Sequence, residues 1–86
     1  MNSYLVSLTA SAEKELRGLP GHVIARIWRR VERLATTPRP SGCKKLYGGD
    51  RQWRIRVGDY RIVYEIDDKS ETVDVTRIAH RREVYK

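Results

Sequence analysis

The sequence predicts an α+β protein with the element order β-α-α-β-β-β, in which an antiparallel sheet carries a helical hairpin on one face. Apolar residues recur at a helical period over residues 24–35 and alternate with polar residues, as in a strand, over residues 53–64. A segment of turn-forming residues, 37–42, separates these two patterns. The chain has 86 residues, enough for one modest core, so residues 1–86 are expected to form a single domain.

The N-terminal elements are a strand and a short helix. Alternate apolar residues around Val6 predict the strand. Thr9 is a good N-cap for a helix over Ala10–Arg17. Gly18 follows where a residue with positive φ often ends a helix, and Pro20 prevents continuation. The chain is therefore expected to turn between two helices at this point.

The second helix has the clearest pattern in the sequence. One apolar stripe, suited to packing on a flat surface, is formed by Ile24, Ile27, Trp28, Val31, Leu34 and Ala35. The other faces of this helix carry Arg26, Arg29, Arg30 and Arg33. These observations predict a helix that covers one face of the sheet.

A hairpin is predicted around Gly58-Asp59, because glycine at the first central position favours a two-residue type II′ turn. This turn sets the register of the flanking strands as Val57 with Tyr60, Arg56 with Arg61, Ile55 with Ile62 and Trp53 with Tyr64. After a further turn at residues 67–70, a last strand is expected to end near Ala79.

The register places three arginines, Arg54, Arg56 and Arg61, on the face of the hairpin opposite its apolar side. Like charges directly opposed across strands cost up to roughly 1 kcal/mol, which an anion bound between them would offset. Acidic residues cluster at the predicted turns, so this face suits phosphate binding by guanidinium groups. The alternative is a solvated outer face, softened by Glu65 or Asp74.

Composition limits the kind of partner. Eighteen Lys and Arg against eleven Asp and Glu give a formal net charge of +7, which indicates RNA, DNA or an acidic protein. Neither a long apolar run nor a basic signal region is visible, so we expect a cytoplasmic protein without a membrane partner. Cys43 is the one cysteine and has no metal-ligand cluster around it. No cofactor and no metal are predicted.

The C-terminal tail continues the basic character with His80, Arg81, Arg82 and Tyr85. One interpretation is a frayed, charged terminus, which is common at chain ends. Val84 and Tyr85 favour the other interpretation, since both would gain by packing back on the sheet.

Three segments together resemble the RelE/ParE toxin superfamily, and its RelE branch most closely: KKL at 44–46, WRIRVGDYRIVYEI at 53–66 and RIAHRREVY at 77–85. The resemblance covers almost the whole chain and implies a RelE-like fold. It also implies the toxin of a type II toxin–antitoxin system that cleaves mRNA without a metal. In that branch the 2′-hydroxyl attacks the adjacent phosphate, usually in the ribosomal A site, and translation stops.

The resemblance also implies roles for individual residues. Arg61 would bind the scissile phosphate, Arg81 would stabilise developing charge, and Tyr85 would orient the reacting nucleotide. Arg54 and Arg56 stand where some relatives have a Lys-x-Lys pair. Arg56 is counted with the catalytic set, and the residues expected to bind RNA are Arg54, Lys44, Lys45, Arg82 and His80.

The proton acceptor is not settled by the sequence. An arginine, with a pKa above about 12, is a poor general base, so Arg54 and Arg56 are expected to act as electrostatic stabilisers. The base is then Tyr85, His80, Glu65 or a ribosomal group. Histidine has an unperturbed pKa of about 6.5, close to the working pH.

Two other functions share the same features. One is a ParE-like inhibitor of DNA gyrase, which cuts nothing, and the other is a non-catalytic RNA-binding or ribosome-binding module. For the RelE-type toxin the implied partners are mRNA, the ribosome and a RelB-like antitoxin with a mostly helical, acidic binding segment. Operator DNA is expected only through the complex with the antitoxin.

Overall fold

The computed structural model describes residues 3–46 and 51–80. Two helices and five strands follow one another in these residues: β1 Leu5–Leu8, α1 Ala10–Arg17, α2 Gly21–Arg33, β2 Lys44–Lys45, β3 Gln52–Val57, β4 Tyr60–Asp67 and β5 Thr72–His80. The predicted α+β class is confirmed, and the two-residue strand β2 is an addition to the predicted order. None of the helices in this part of the chain is long and apolar enough to cross a bilayer.

The five strands form one sheet in the order β1-β5-β4-β3-β2. The four strands from β2 to β5 are antiparallel neighbours, whereas β1 runs parallel to β5. The sheet is therefore mixed rather than wholly antiparallel. The helical connection from β1 carries the chain across the sheet to the opposite edge, and the side-chain alternation of β1 contains no information about strand direction.

The β3–β4 hairpin has the predicted register. Arg56 lies opposite Arg61, with Val57 opposite Tyr60 and Ile55 opposite Ile62. Gly58 has a φ of 60°, the positive value that a type II′ turn requires at its first central position.

Helix α1 begins and ends as predicted. The Thr9 side chain accepts a hydrogen bond from the Ala12 N–H at 3.1 Å, which satisfies one of the free donors of the first turn. The prediction of a positive φ at Gly18 is wrong: its φ is −78°. The Gly18 N–H still donates to the Lys14 carbonyl, so the helix ends without a left-handed residue, and Pro20 redirects the chain into α2.

Helix α1 protects an edge of the sheet. Strand β1 pairs with β5 only over residues 72–75, so it leaves the rest of that edge unpaired. Glu15 of α1 accepts a hydrogen bond from the Ile78 N–H at 2.9 Å and lies 3.7 Å from the Arg77 guanidinium. These contacts satisfy part of the exposed edge of β5.

The core lies between the helices and one face of the sheet. Ile27 of α2 and Ile62 and Tyr64 of β4 are fully buried there. Trp28, predicted to belong to the packed stripe, is 44% exposed. It follows Ile27 by about 100° around the helix, and this rotation places it at the margin of the buried face.

Candidate nucleic-acid interface

The face of the sheet opposite the helices is called the open face here. Two rows of paired residues carry its positive charge. One row places Lys44 beside Arg54, followed by Val63 and Arg77, and the next places Arg56 beside Arg61, followed by Ala79. Strand pairing thus brings cations from β2, β3, β4 and β5 together.

The two opposed arginines differ in exposure. Arg61 is only 5% exposed, and Arg54 in the next row 9%, whereas Arg56 is exposed. Directly opposed residues have Cα atoms about 4.5–5.5 Å apart, so the two side chains start from neighbouring points on the sheet. Arg61 is suited to act as a fixed anchor because burial restricts its rotamers, and Arg56 can adapt to the ligand.

Acidic residues lie away from this pair. Glu65 and Asp74 are paired on the open face. Glu65 is four residues from Arg61 along β4, which corresponds to about 13 Å. The pair is therefore not neutralised by these two carboxylates.

The acidic turn after β4 has partners of its own. Asp67 accepts hydrogen bonds from the backbone N–H groups of Ser70 and Lys69, which lower the pKa of its carboxyl group. Arg39 binds both oxygens of Asp68 and lowers the pKa of that carboxyl group. These carboxylates therefore interact with groups of the turn and with Arg39.

Two predicted RNA-binding residues do not join the open face. Lys45 pairs with Trp53, and His80 pairs with Tyr60, so both lie on the side of the sheet that faces the helices. The rings of His80 and Tyr60 meet edge to face, with centroids 5.4 Å apart. Adjacent residues on a strand point to opposite faces, which explains why Lys44 and Lys45 separate.

Three further predicted residues, Arg81, Arg82 and Tyr85, lie outside the described residues. Within residues 3–46 and 51–80, no three His, Cys, Asp or Glu side chains are grouped so that they could hold a metal ion. The described open face presents guanidinium and ammonium groups, which interact with anions electrostatically.

The place of Arg77 in the row of Arg54 and Val63 was not predicted from the sequence, and its guanidinium lies 3.7 Å from the Glu15 carboxylate. A β-bulge between β4 and β5, at Val63/Tyr64, shifts the register by one residue. The shift leaves Thr76 without a paired residue and places Arg77 opposite Val63. A sequence signal for this bulge exists in β5. Its buried apolar residues stand at odd positions up to Val75 and at an even position at Ile78.

A second cluster that the sequence did not reveal holds the segment before β2. Arg39 lies 5.1 Å from the centre of the Trp53 ring and forms a 2.9 Å ion pair with Asp68. The Tyr64 hydroxyl donates to the Pro38 carbonyl at 2.8 Å, and burial raises the pKa of Tyr64. These contacts hold the turn at residues 37–42 against the sheet. Lys44, which follows this turn, is thereby positioned at the edge of the open face.

The chain has a small α+β fold with a cationic sheet face, and the comparisons with known proteins identify the class of protein that shares it. The family described as "ParE toxin of type II toxin-antitoxin system" matches residues 6–85. The chain belongs to the RelE/ParE toxin superfamily of type II toxin–antitoxin systems.

The relatives include toxins named RelE and RelG. The chain is 33% identical over 76 residues to Toxin RelE3 of Methanocaldococcus jannaschii, covering 84% of each chain. It is 32% identical over 90 residues to Toxin RelG of Mycobacterium tuberculosis, covering 96% of this chain and 97% of that one. The archaeal RelE–RelB complex from Pyrococcus horikoshii contains a chain with the same fold, with a TM-score of 0.82 and 26% identity, covering 92% of this chain and 96% of that one. The predicted resemblance to RelE-type toxins is confirmed.

Proposed function

We propose that this toxin is a metal-independent endoribonuclease that cleaves mRNA in the cytoplasm by attack of a 2′-hydroxyl on the adjacent phosphate. The observation that carries the proposal is the Arg56–Arg61 pair on the open face, with Lys44 and Arg54 in the neighbouring row. Guanidinium groups bind phosphate oxygens through paired hydrogen bonds, and the sheet holds these side chains on one face.

The mechanism needs geometry and charge more than covalent participation by the protein. Arg61 would bind the scissile phosphate, while Arg56 and Arg54 would stabilise the negative charge that accumulates on the pentacovalent phosphorus. The resemblance adds Arg81 for the developing charge and Tyr85 for orientation of the nucleotide. Loss of one such donor typically lowers the rate by about 10²–10³.

The positions of His80 and Glu65 bear on the proposed choice of base. His80 lies on the side of the sheet that faces the helices, and Glu65 lies about 13 Å along the strand from Arg61. Arginine does not release its proton readily. Tyr85 or a ribosomal group would therefore remove the proton, with cleavage in the ribosomal A site.

A RelB-like antitoxin is the proposed protein partner. The support is the Pyrococcus horikoshii structure, which is a complex of RelE with RelB and shares the fold of this chain. A net charge of +7 favours an acidic, mostly helical binding segment in that partner. Contact with operator DNA would arise only through the antitoxin.

Primer extension on message from an in vitro translation reaction tests the proposal. Discrete cuts are expected within ribosome-bound message, and Arg61→Ala should reduce them by about 10²–10³. Arg17→Gln is the matched control, because this exposed arginine lies on α1 away from the open face. Uncut message with the purified wild-type chain would overturn the proposal.

Inhibition of DNA gyrase is a second candidate function, since the matching family is described by the name ParE. A supercoiling assay with purified gyrase and the purified chain separates the two functions. Accumulated gyrase-cleaved DNA together with intact message would support the ParE-like activity. If the chain binds ribosomes without affecting either substrate, it is a non-catalytic binding module.

A further inference from the structure

Helix α2 carries a second group of cations, called the arginine track here and formed by Arg26, Arg29, Arg30 and Arg33. Their spacing of i, i+3, i+4 and i+7 places them along one side of the helix. The four side chains line a shallow depression together with Val57 of β3. Val57 belongs to the side of the sheet that faces the helices, so the track is separate from the open face.

The track continues at both ends. Arg26 also lines a depression with His22 and the hairpin tip, including Gly58 and Asp59. Arg30 and Arg33 line another with Thr36, Thr37 and Ser41. The rise of the helix from residue 22 to residue 33 is about 17 Å. The three depressions thus form an extended, shallow surface rather than a single closed pocket.

Electrostatics make this arrangement unfavourable for an isolated helix. Arginines three or four residues apart repel, and each such pair costs a few tenths of a kcal/mol. The ion pairs within the described residues are formed by Arg39, Arg51 and Arg77, and none involves the track. Among the residues that line the three depressions, Asp59 is the one carboxylate. A polyanion would relieve the repulsion.

The chemistry of the lining favours phosphates over a protein partner. Guanidinium groups are donors only, and they match phosphate oxygens with two parallel hydrogen bonds. The hydroxyl groups of Thr37 and Ser41 can bind phosphate oxygens or 2′-hydroxyl groups. A helical protein segment that docks through apolar anchors would find only Val57 at the centre of this track, so an acidic segment would bind here through charge alone.

We propose that the arginine track binds the phosphate backbone of folded, double-stranded RNA. This surface would hold a helical RNA segment while the open face holds the single strand that is cut. The inference rests on the proposed function only in its choice of RNA over DNA. The track itself is independent of the cleavage residues.

Binding of a labelled 20-base-pair RNA duplex, measured by fluorescence anisotropy between 50 and 200 mM KCl, tests the proposal. The full chain carries Arg61→Ala throughout, so that cleavage does not interfere. The variant Arg29→Gln/Arg33→Gln is expected to bind about tenfold more weakly at 50 mM salt. Its slope of log Kobs against log salt should be shallower by about 1.4–1.8, because each phosphate contact contributes about 0.7–0.9.

The matched control is Lys14→Gln/Arg17→Gln, which removes the same charge from exposed positions of α1. It should leave the slope unchanged, and circular dichroism should show the same melting curve for both double variants. Equal weakening by the two double variants would show a general charge effect and overturn the proposal. Tighter binding to a DNA duplex of the same sequence, or an unchanged affinity of the track variant, would overturn it as well.

The primer-extension assay keeps this inference distinct from the proposed function. Uncut message with wild-type protein contradicts the nuclease proposal, whereas the duplex titration still decides whether the track binds RNA. Conversely, discrete cuts together with duplex binding that does not depend on Arg29 and Arg33 would support the nuclease proposal. The same result would contradict RNA binding by the arginine track.

Discussion

The two faces of the sheet use the same strands for different purposes. On the helix-facing side, Ile62 and Tyr64 of β4 are fully buried and support the fold. On the open face of the same strand, Arg61 carries a buried positive charge. Because alternate residues of one strand serve stability and chemistry, substitutions only one to three residues apart should have separable effects.

The largest effect is expected on the helix-facing side. Tyr64→Ala removes a fully buried aromatic ring and its hydrogen bond to the Pro38 carbonyl. It should lower the free energy of unfolding by about 3–5 kcal/mol, measured by urea denaturation. Leu5→Ala is the control, because Leu5 is 73% exposed and its loss should change stability by about 0.5 kcal/mol or less. Equal losses of unfolding free energy in the two variants would contradict the assignment of Tyr64 to the core.

Substitutions on the open face are expected to lower the rate of RNA cleavage. Arg61→Ala is expected to lower the cleavage rate by about 10²–10³. Arg56→Ala should lower it by about tenfold, or about 1.4 kcal/mol, because the exposed guanidinium is mobile and screened. A double-mutant cycle should give less than the sum of the two effects if both groups bind one phosphate. Strict additivity would show that the two arginines act on different groups.

The hairpin tip joins the two faces and should respond more weakly. Gly58→Ala places a side chain at a φ of 60°, which costs about 1–2 kcal/mol for an L-residue. The added Cβ would lie 3.5 Å from the Arg26 guanidinium, an ordinary contact, so strain in the backbone is the main cost. Thermal unfolding measures the loss. A variant as stable as wild type would mean that the turn can adopt another conformation.

Local chemistry made part of the fold predictable. Thr9 and Pro20 fixed the helix boundaries to within a residue, and Gly58-Asp59 fixed the register of β3 and β4, because caps and tight turns act over a few residues. The parallel pairing of β1 with β5 depends on contacts between residues such as Val6 and Val73. Such distant pairings leave no local signal.

The candidate site was predictable to the same extent. Alternation placed Arg54, Arg56 and Arg61 on one face, and the structure has them there. Lys45 and His80 were grouped with them by a resemblance in sequence, which does not distinguish the two faces of a strand. Arg77 was missed because the bulge that turns it to the open face arises from pairing between β4 and β5.

The smallest effect concerns the acidic turn that supports the edge of the open face. Asp68 receives hydrogen bonds from Arg39 and Tyr4, which lower the pKa of its carboxyl group below the ordinary value of 3.8. A carboxyl group with a lowered pKa stabilises the fold above its ordinary pKa and loses that contribution as the pH falls through the folded-state value. Asp68→Asn should therefore melt slightly below wild type at pH 7, and the difference should shrink as the pH falls below about 4. Melting curves that differ equally at pH 7 and pH 3 would show that the charge of Asp68 does not stabilise this turn.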